Sequence, residues 1–274
     1  MSRTFRTILQ TIERVNRQNL PTIANDMTYK ILLATFPFLM FLLTLMGFFT
    51  IDYHYLTDHL YNIIPDEILG VVEVFAKEVV NVRRPKILSI TLIVAVISAT
   101  SGFRALIDGL KRAYQEEETR GIIKLYTKSF LLLIIFTLTM IISTISIIFG
   151  NVILNIFTHY LILSPLAVFI YNTISILISL AIMLVTVITI NQIALQKKVF
   201  IRDLLPGSIF TVTIWAFASF AFNLYVRNFS DMVKIYGSVA GIMVLLIWLN
   251  IICNVMLIGG AINGVKLENK NNIQ

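Results

Sequence analysis

The spacing of the charged residues constrains this chain more than any other feature. No Lys, Arg, Asp or Glu occurs in five stretches, which are 31–51, 87–103, 129–196, 204–226 and 235–265. A helix needs roughly 20 residues to cross a hydrocarbon core about 30 Å thick. Four of these stretches therefore suit one span each, the second by extending past Arg104. The longest suits two, because polar residues and Pro165 interrupt its middle. The sequence predicts six transmembrane spans.

The composition excludes an ordinary water-soluble domain. Hydrophobic residues make up 57% of the chain and charged residues only 14%, whereas a soluble domain carries about 25% charged residues. The apolar stretches are continuous and show no alternation of period two, which argues against barrel strands. A helix also satisfies its own backbone hydrogen bonds in lipid. We therefore expect an all-α integral membrane protein with a single membrane domain.

The charge distribution also predicts the topology. The predicted spans cover about 29–50, 87–108, 126–149, 165–190, 204–226 and 237–262. An even number of spans puts both termini on the same side of the membrane. Lys and Arg concentrate near the termini and in the loops after the second and fourth spans. The positive-inside rule assigns that side, including the tail 263–274, to the cytoplasm.

Two amphipathic segments lie outside the predicted spans. Residues 1–22 carry apolar side chains on one helical face and arginines elsewhere, which is typical of a helix lying on the inner membrane surface. Residues 65–82 repeat apolar side chains at helical spacing, and Asp66 and Glu67 favour the N-terminus of that helix. On the predicted topology this second amphipathic helix lies on the outer side.

The net charge of +7 does not require a nucleic-acid partner. Basic residues on the cytoplasmic side follow from the topology and attract anionic headgroups. The sequence has no zinc-ligand spacing, RNP-like motif or long Lys/Arg run. We expect membrane lipids as partners, and neither nucleic acid, nor a metal, nor another cofactor. The single cysteine, Cys253, lies inside the last span, which excludes an intramolecular disulfide.

Polar groups at membrane depth are the functional candidates, because desolvating them is costly. Arg104 follows small residues, among them Ser101, that let a neighbouring helix or a ligand headgroup approach the backbone. Its guanidinium can bind a phosphate or carboxylate in bidentate fashion. Asp108 and Arg112 follow Arg104 at spacings of four residues, which puts the three charges on one helix face. The simpler interpretation is therefore that they pair with one another at the cytoplasmic membrane interface and bind no ligand.

Further substrate-binding candidates lie on three other spans. Asp26 and Tyr29 stand at the entry to the first span, where Asp26 either caps the helix or serves as a ligand or proton carrier. Asn223 lies in the fifth span, and Asn250 and Asn254 lie four residues apart in the sixth. These amides either line a polar path or form hydrogen bonds that hold the helices together.

Small residues mark the faces at which helices can pack closely. Gly237 and Gly241 form one small-xxx-small pair at the start of the last span, and Gly260 and Gly264 form another at its end. These faces permit a homodimer, and they equally serve packing within one chain.

The ordered set of segments resembles a known family. The opening run ANDMTYKILLATFPFLM, the second-span run SGFRALIDGLKRAY, and the run from Leu204 to Gly264 with LLPGS, FNLYV and YGSVAGIMVLLIWLNIICNVMLIGGAING carry the resemblance. Together they are similar to the YihY/BrkB family of bacterial inner-membrane proteins. One departure is that Asn25, Asp26 and Met27 stand where family members usually have small alanines.

The resemblance implies a multi-pass protein of the bacterial inner membrane, without a settled activity. Members have been named ribonuclease BN, linked to virulence or serum resistance, and proposed to move lipids or ions. We expect no enzymatic activity. A metal-dependent ribonuclease needs clustered carboxylates or histidines to hold its ions. The three histidines, His54, His59 and His159, fall in predicted outer loops, whereas RNA is on the cytoplasmic side. The leading hypothesis is a transporter or flippase for a lipid or other anionic amphipathic substrate. The alternatives are an ion or proton-coupled exchanger and a non-transporting scaffold.

Overall fold

A computed structural model describes residues 3–48, 85–117, 119–139, 142, 165–227 and 238–271. All regular structure within these ranges is helical. In chain order the helices are α1 Arg3–Arg17, α2 Leu20–Phe48, α3 Pro85–Tyr114, α4 Ile122–Thr139, α5 Pro165–Ala194, α6 Ile201–Arg227 and α7 Ser238–Asn271. The predicted outer helix 65–82 and Gly237 lie outside the described residues.

Five of the described helices, α3 to α7, are long and apolar enough to cross a membrane. The prediction of an all-α membrane protein is confirmed for the described residues. The first predicted span coincides with α2 as far as Phe48, and the count of six spans stays a prediction. The helices also differ in length from the predicted spans, since α3 continues to Tyr114 and α7 to Asn271. Both extensions remain helical because their side chains pack against neighbouring helices.

Helix α7 is central to the bundle. It contacts α6, α2, α3 and α1, while the most extensive single contact joins α2 to α3. Helix α5 packs against α6 and, less extensively, against α3. Large apolar side chains from four helices fill the interior with almost no exposure: Leu20, Met27, Ile107, Leu110, Leu204 and Leu257.

Helix α1 packs on the bundle through one face only. It ends at a turn in which Asn19 adopts a left-handed φ of 49°, a conformation that asparagine tolerates better than most residues. Its opposite face leaves Phe5, Ile8, Leu9 and Ile12 between 46% and 53% exposed. The helix is therefore amphipathic, and its position on the inner membrane surface stays a prediction.

One end of the bundle gathers α1, the loop residues 115–117, 119–121 and 195–200, and the last turns of α7; we call it the basic end. The two loops meet where the Thr119 hydroxyl donates to Gln196 Oε1 at 2.6 Å. Asn269 on α7 donates to Gln10 on α1 at 2.8 Å. The segments in which Lys and Arg concentrate in the sequence therefore share one end of the molecule.

The start of α6 shows how this end is held together. Pro206 has no backbone N–H, so the carbonyl of Arg202 lacks its usual partner one turn later in the helix. The ammonium group of Lys266 on α7 donates to that carbonyl at 2.8 Å. A residue of the predicted tail therefore completes the first turn of α6.

Candidate functional site

A buried network of polar side chains joins four helices just below the basic end. The hydroxyl of Tyr114 on α3 donates to Asn191 Oδ1 on α5 at 2.7 Å. Asn263 on α7 donates through Nδ2 to the Tyr114 oxygen at 3.2 Å. The backbone N–H of Gly207 on α6 donates to Asn263 Oδ1 at 2.7 Å. Each of the four helices thus contributes one group.

Both asparagines are almost fully buried, with 1% exposure for Asn191 and none for Asn263. Asn191 Nδ2 donates to the Val187 carbonyl at 2.8 Å, which satisfies the remaining side of that amide. A satisfied buried network fixes the relative positions of the helices that supply it, because each lost partner leaves a costly desolvated group. Tyr114, Asn191 and Asn263 were not among the residues predicted from sequence. The signal in the sequence that could have found the two asparagines is that each stands near the end of an uncharged run.

The α6 and α7 backbones touch beside this network. An added Cβ at Gly207 would lie 1.9 Å from the carbonyl oxygen of Gly259, and one at Gly259 would lie 2.0 Å from Thr211 Oγ1. Thr211 in turn donates to the Gly207 carbonyl at 2.9 Å. Glycine at both positions allows the close approach that puts Asn263 within reach of α6.

A cavity of about 610 Å³ opens at the basic end, with Tyr114 of the network in its wall. Its charged lining residues are Arg14, Glu116, Lys197, Lys198, Asp203, Glu268 and Lys270. The three carboxylates already have partners within the protein. Asp203 pairs with Lys270 at 2.6 Å, Glu116 accepts from the backbone N–H of Gln196 at 3.0 Å, and Glu268 accepts from Arg14.

Arg14 is the most buried cation of the cavity wall, with 6% exposure, the same as for Asp203. Its Nη2 donates to Glu268 on α7, whereas its buried Nη1 has no hydrogen-bond partner among the described residues. Burial lowers the pKa of Arg14 from its ordinary value, and the Glu268 carboxylate acts in the opposite direction. Gly264 makes room for this group, since an added Cβ there would lie 2.4 Å from Nη1.

Arg104, which the sequence offers as a ligand for a phosphate or carboxylate, lies outside this cavity. Its guanidinium approaches Asp108 at 3.9 Å and stacks over the Tyr126 ring at 4.6 Å from the centroid. Arg104 is not among the lining residues of the large cavity or of the smaller one described next. The Arg104–Asp108 contact corresponds to the self-paired ladder, the simpler of the two sequence interpretations.

A smaller cavity of about 230 Å³ between α2 and α3 brings two predicted residues together, Asp26 and Asp108. Lys30 and Arg112 also line it. Lys30 pairs with Asp26 at 2.7 Å, and both side chains are about half exposed. Within the described part of the chain, no three His, Cys, Asp or Glu side chains are grouped as metal ligands.

The remaining predicted residues do not form one site. Asn250 donates to Asn25 Oδ1 on α2 at 2.7 Å, and Asn254 donates to the Asn250 carbonyl at 2.9 Å. Asn250 therefore links α7 to α2, whereas Asn254 bonds within α7. In contrast, Tyr29, Ser101 and Asn223 are exposed on the outer surface of the described bundle.

The predicted packing glycines lie on α7. An added Cβ at Gly260 would come within 2.9 Å of Leu110 on α3, and one at Gly264 within 3.2 Å of the Ala113 carbonyl. Gly241 is buried as well. The glycines near the end of α7 thus face α3 and Arg14 of the same chain.

The fold and the site define a class: a helical membrane protein with a charged cavity at one end of its bundle. The profile of the family described as "Virulence factor BrkB" matches residues 11–274, and the chain belongs to this family. The ribonuclease-like protein YfkH of Bacillus subtilis is 30% identical over 249 residues, which cover 89% of each chain. A UPF0761 membrane protein of Xanthomonas campestris is 27% identical over 83 residues, 30% of this chain and 20% of the relative. No solved structure matches.

Proposed function

We propose that the protein moves an anionic amphipathic substrate, such as a lipid, across the bacterial inner membrane. In this proposal the headgroup enters the cavity at the basic end and continues along α6 between the helices. One observation carries the proposal: unpartnered polar atoms continue from the buried network into the span. Ser208 Oγ and Trp215 Nε1 are buried and have no hydrogen-bond partner among the described residues.

The positions of these two atoms suit a path through the membrane. Ser208 and Trp215 are seven residues apart, and therefore lie on one face of α6 about 10 Å apart along its axis. A buried donor without an acceptor is costly in a membrane-spanning helix. A polar group that passes along this face would supply the missing partner during transport.

Replacing Trp215 by Phe tests this path, because the change removes the indole N–H and keeps an aromatic ring. We expect the rate of transport to fall about tenfold, the effect of losing one hydrogen bond to a charged group. The purified protein would be reconstituted in liposomes containing a fluorescent phosphatidylglycerol. Bleaching of the outer leaflet by dithionite then reports the rate at which the lipid crosses the bilayer.

Trp248→Phe is the matched control, since it makes the same change on α7 at a half-buried side chain. Its rate should equal that of the unmodified protein. Liposomes in which the unmodified protein moves the lipid no faster than empty vesicles would overturn the proposal and favour the scaffold alternative.

A proton-coupled exchanger is the second candidate, because Asp26 and Asp108 line one small cavity. Two carboxylates near each other can share a proton during a transport cycle. This alternative predicts that the reconstituted protein dissipates a pH gradient across the vesicle membrane, and that Asp26→Asn together with Asp108→Asn abolishes the effect. A lipid transporter of the kind proposed above leaves the gradient intact.

The proposal includes six spans, both termini in the cytoplasm, and no enzymatic or nucleic-acid-binding role. Membrane lipids are the partners it requires, and it needs no second copy of the chain. The gathering of the basic segments at one end supports the cytoplasmic assignment of that end. Labelling of a cysteine introduced at exposed Lys198, in a Cys253→Ala background, should occur from the cytoplasmic side alone.

A further inference from the structure

We propose that the cavity at the basic end binds a phosphate ester, with Arg14 as its principal ligand. The inference rests on the proposed function, because it names the chemical class of the substrate group that enters the cavity. Its test is separate, because binding of the ligand can be measured without transport.

The first argument is the unsatisfied guanidinium. Arg14 is 6% exposed, and its Nη1 is buried without a partner among the described residues, while Glu268 occupies Nη2. Buried charged donors in proteins are normally hydrogen-bonded, because an unmade bond leaves the full desolvation penalty. An anion in the cavity would provide the missing acceptor.

The second argument is the balance of charge that remains after the internal pairs are formed. Asp203 and Glu268 are each paired with a cation of the protein, while Glu116 keeps its charge and accepts from the backbone N–H of Gln196. Lys197 and Lys198 line the same cavity and make no ion pair or hydrogen bond with any residue that the structure describes. Two ammonium groups and one guanidinium nitrogen are therefore available to a ligand.

The third argument concerns the type of anion. The terminal oxygens of a phosphate, three in a monoester and two in a diester, are arranged tetrahedrally and can accept bonds from donors that approach from different directions, whereas the two oxygens of a carboxylate lie in one plane. Donors that come from α1 and from the 195–200 loop fit the phosphate better. The volume of about 610 Å³ lies in the range of sites for organic ligands, so we expect a phosphate that carries an organic group.

The wall of the cavity has an apolar part as well. Phe200, Val199 and Leu267 line it, and Phe200 is 79% exposed. A phosphate ester with an apolar group, such as a lipid, would cover this surface. A soluble phosphate ester would use the charged part alone, and the experiment separates these two sources.

The test is binding to the purified full-length protein in a non-ionic detergent, measured by calorimetry and native mass spectrometry. The probes are a short-chain phosphatidylglycerol, glycerol phosphate, and a fatty acid of matched chain length as the phosphate-free anion. We expect the phosphatidylglycerol to bind, and Arg14→Gln to weaken its binding about tenfold or more. Arg17→Gln changes an exposed arginine of the same helix and should leave binding unchanged.

Because Arg14 is buried, Arg14→Gln can fail to fold. In that case the exposed pair Lys197→Gln and Lys198→Gln provides the test, with an expected loss of several-fold in affinity. The proposal is wrong if folded Arg14→Gln protein binds phosphatidylglycerol as tightly as the unmodified protein does. If Arg14→Gln does not fold, the same criterion applies to the double lysine variant. Equal affinity for the fatty acid would also overturn the proposal.

The outcomes also separate this inference from the proposed function. Tight binding of glycerol phosphate alone would support the phosphate site and assign it to a soluble ester, which contradicts lipid transport. Binding of phosphatidylglycerol without movement in liposomes would likewise support the site and contradict transport. Lipid transport that Arg14→Gln leaves unchanged would contradict the phosphate site and leave the transport proposal intact.

Discussion

Replacing Gly207 by Ala is expected to destabilise the protein more than any other single methyl group added at a described glycine. The new Cβ would lie 1.9 Å from the Gly259 carbonyl oxygen and 2.6 Å from Asn263 Oδ1. Overpacking costs about 1–3 kcal/mol where side chains can move aside, and here the obstacle is the backbone of a neighbouring helix. We expect the Tm in detergent to fall by roughly 5 °C or more, measured by size-exclusion chromatography after heating.

Gly121→Ala is the matched control, because an added Cβ there meets no atom within 4 Å. Its Tm should stay within experimental error of that of the unmodified protein. An unchanged Tm for Gly207→Ala would mean that α6 and α7 do not approach as closely as the structure indicates.

Replacing Asn263 by Leu is expected to have the second largest effect, since it keeps the volume and removes the amide at the centre of the buried network. The N–H of Gly207 loses its acceptor, and the Tyr114 oxygen loses a donor. Each buried polar group left unsatisfied costs about 1–3 kcal/mol. The Tm should fall by several degrees, and transport in liposomes should fall with it.

Asn269→Leu makes the same change six residues later on α7. Asn269 is bonded only to the partly exposed Gln10 among the described residues, so we expect a loss of about 1 kcal/mol or less. If Asn263→Leu and Asn269→Leu unfold at the same temperature, the buried network does not hold the four helices together as we infer.

The fold class could be predicted because it depends on features local to each segment. The charge-free runs give the positions of the spans, and the amphipathic pattern of residues 3–17 gives α1. The helix ends were less predictable. Helix α7 continues past residue 262, the end of its predicted span, because Asn263, Gly264 and Val265 are buried against other helices, a tertiary effect that hydropathy does not record.

The site was harder to predict, because it depends on which helices are neighbours. Tyr114 and Asn191 are 77 residues apart and Tyr114 and Asn263 are 149 apart. Sequence reasoning locates each polar side chain along its own helix but does not give its partner on another. For the same reason Arg14 was grouped with the arginines of an interfacial helix, whereas its contact with Glu268 makes it part of the cavity. The transport hypothesis puts Asp26 and Asp108 in one cavity with Arg104, and the two carboxylates do line one small cavity, without Arg104.

The pairing of Arg14 with Glu268 also constrains how the chain can fold during synthesis. These residues are 254 positions apart, so α1 leaves the ribosome long before the helix to which it binds exists. A chain is synthesised from its N-terminus at a limited rate, so the pairing of α1 with α7 must wait until α7 has been made. The large cavity therefore forms only in a completed chain, and a truncated product lacking the end of α7 cannot display it.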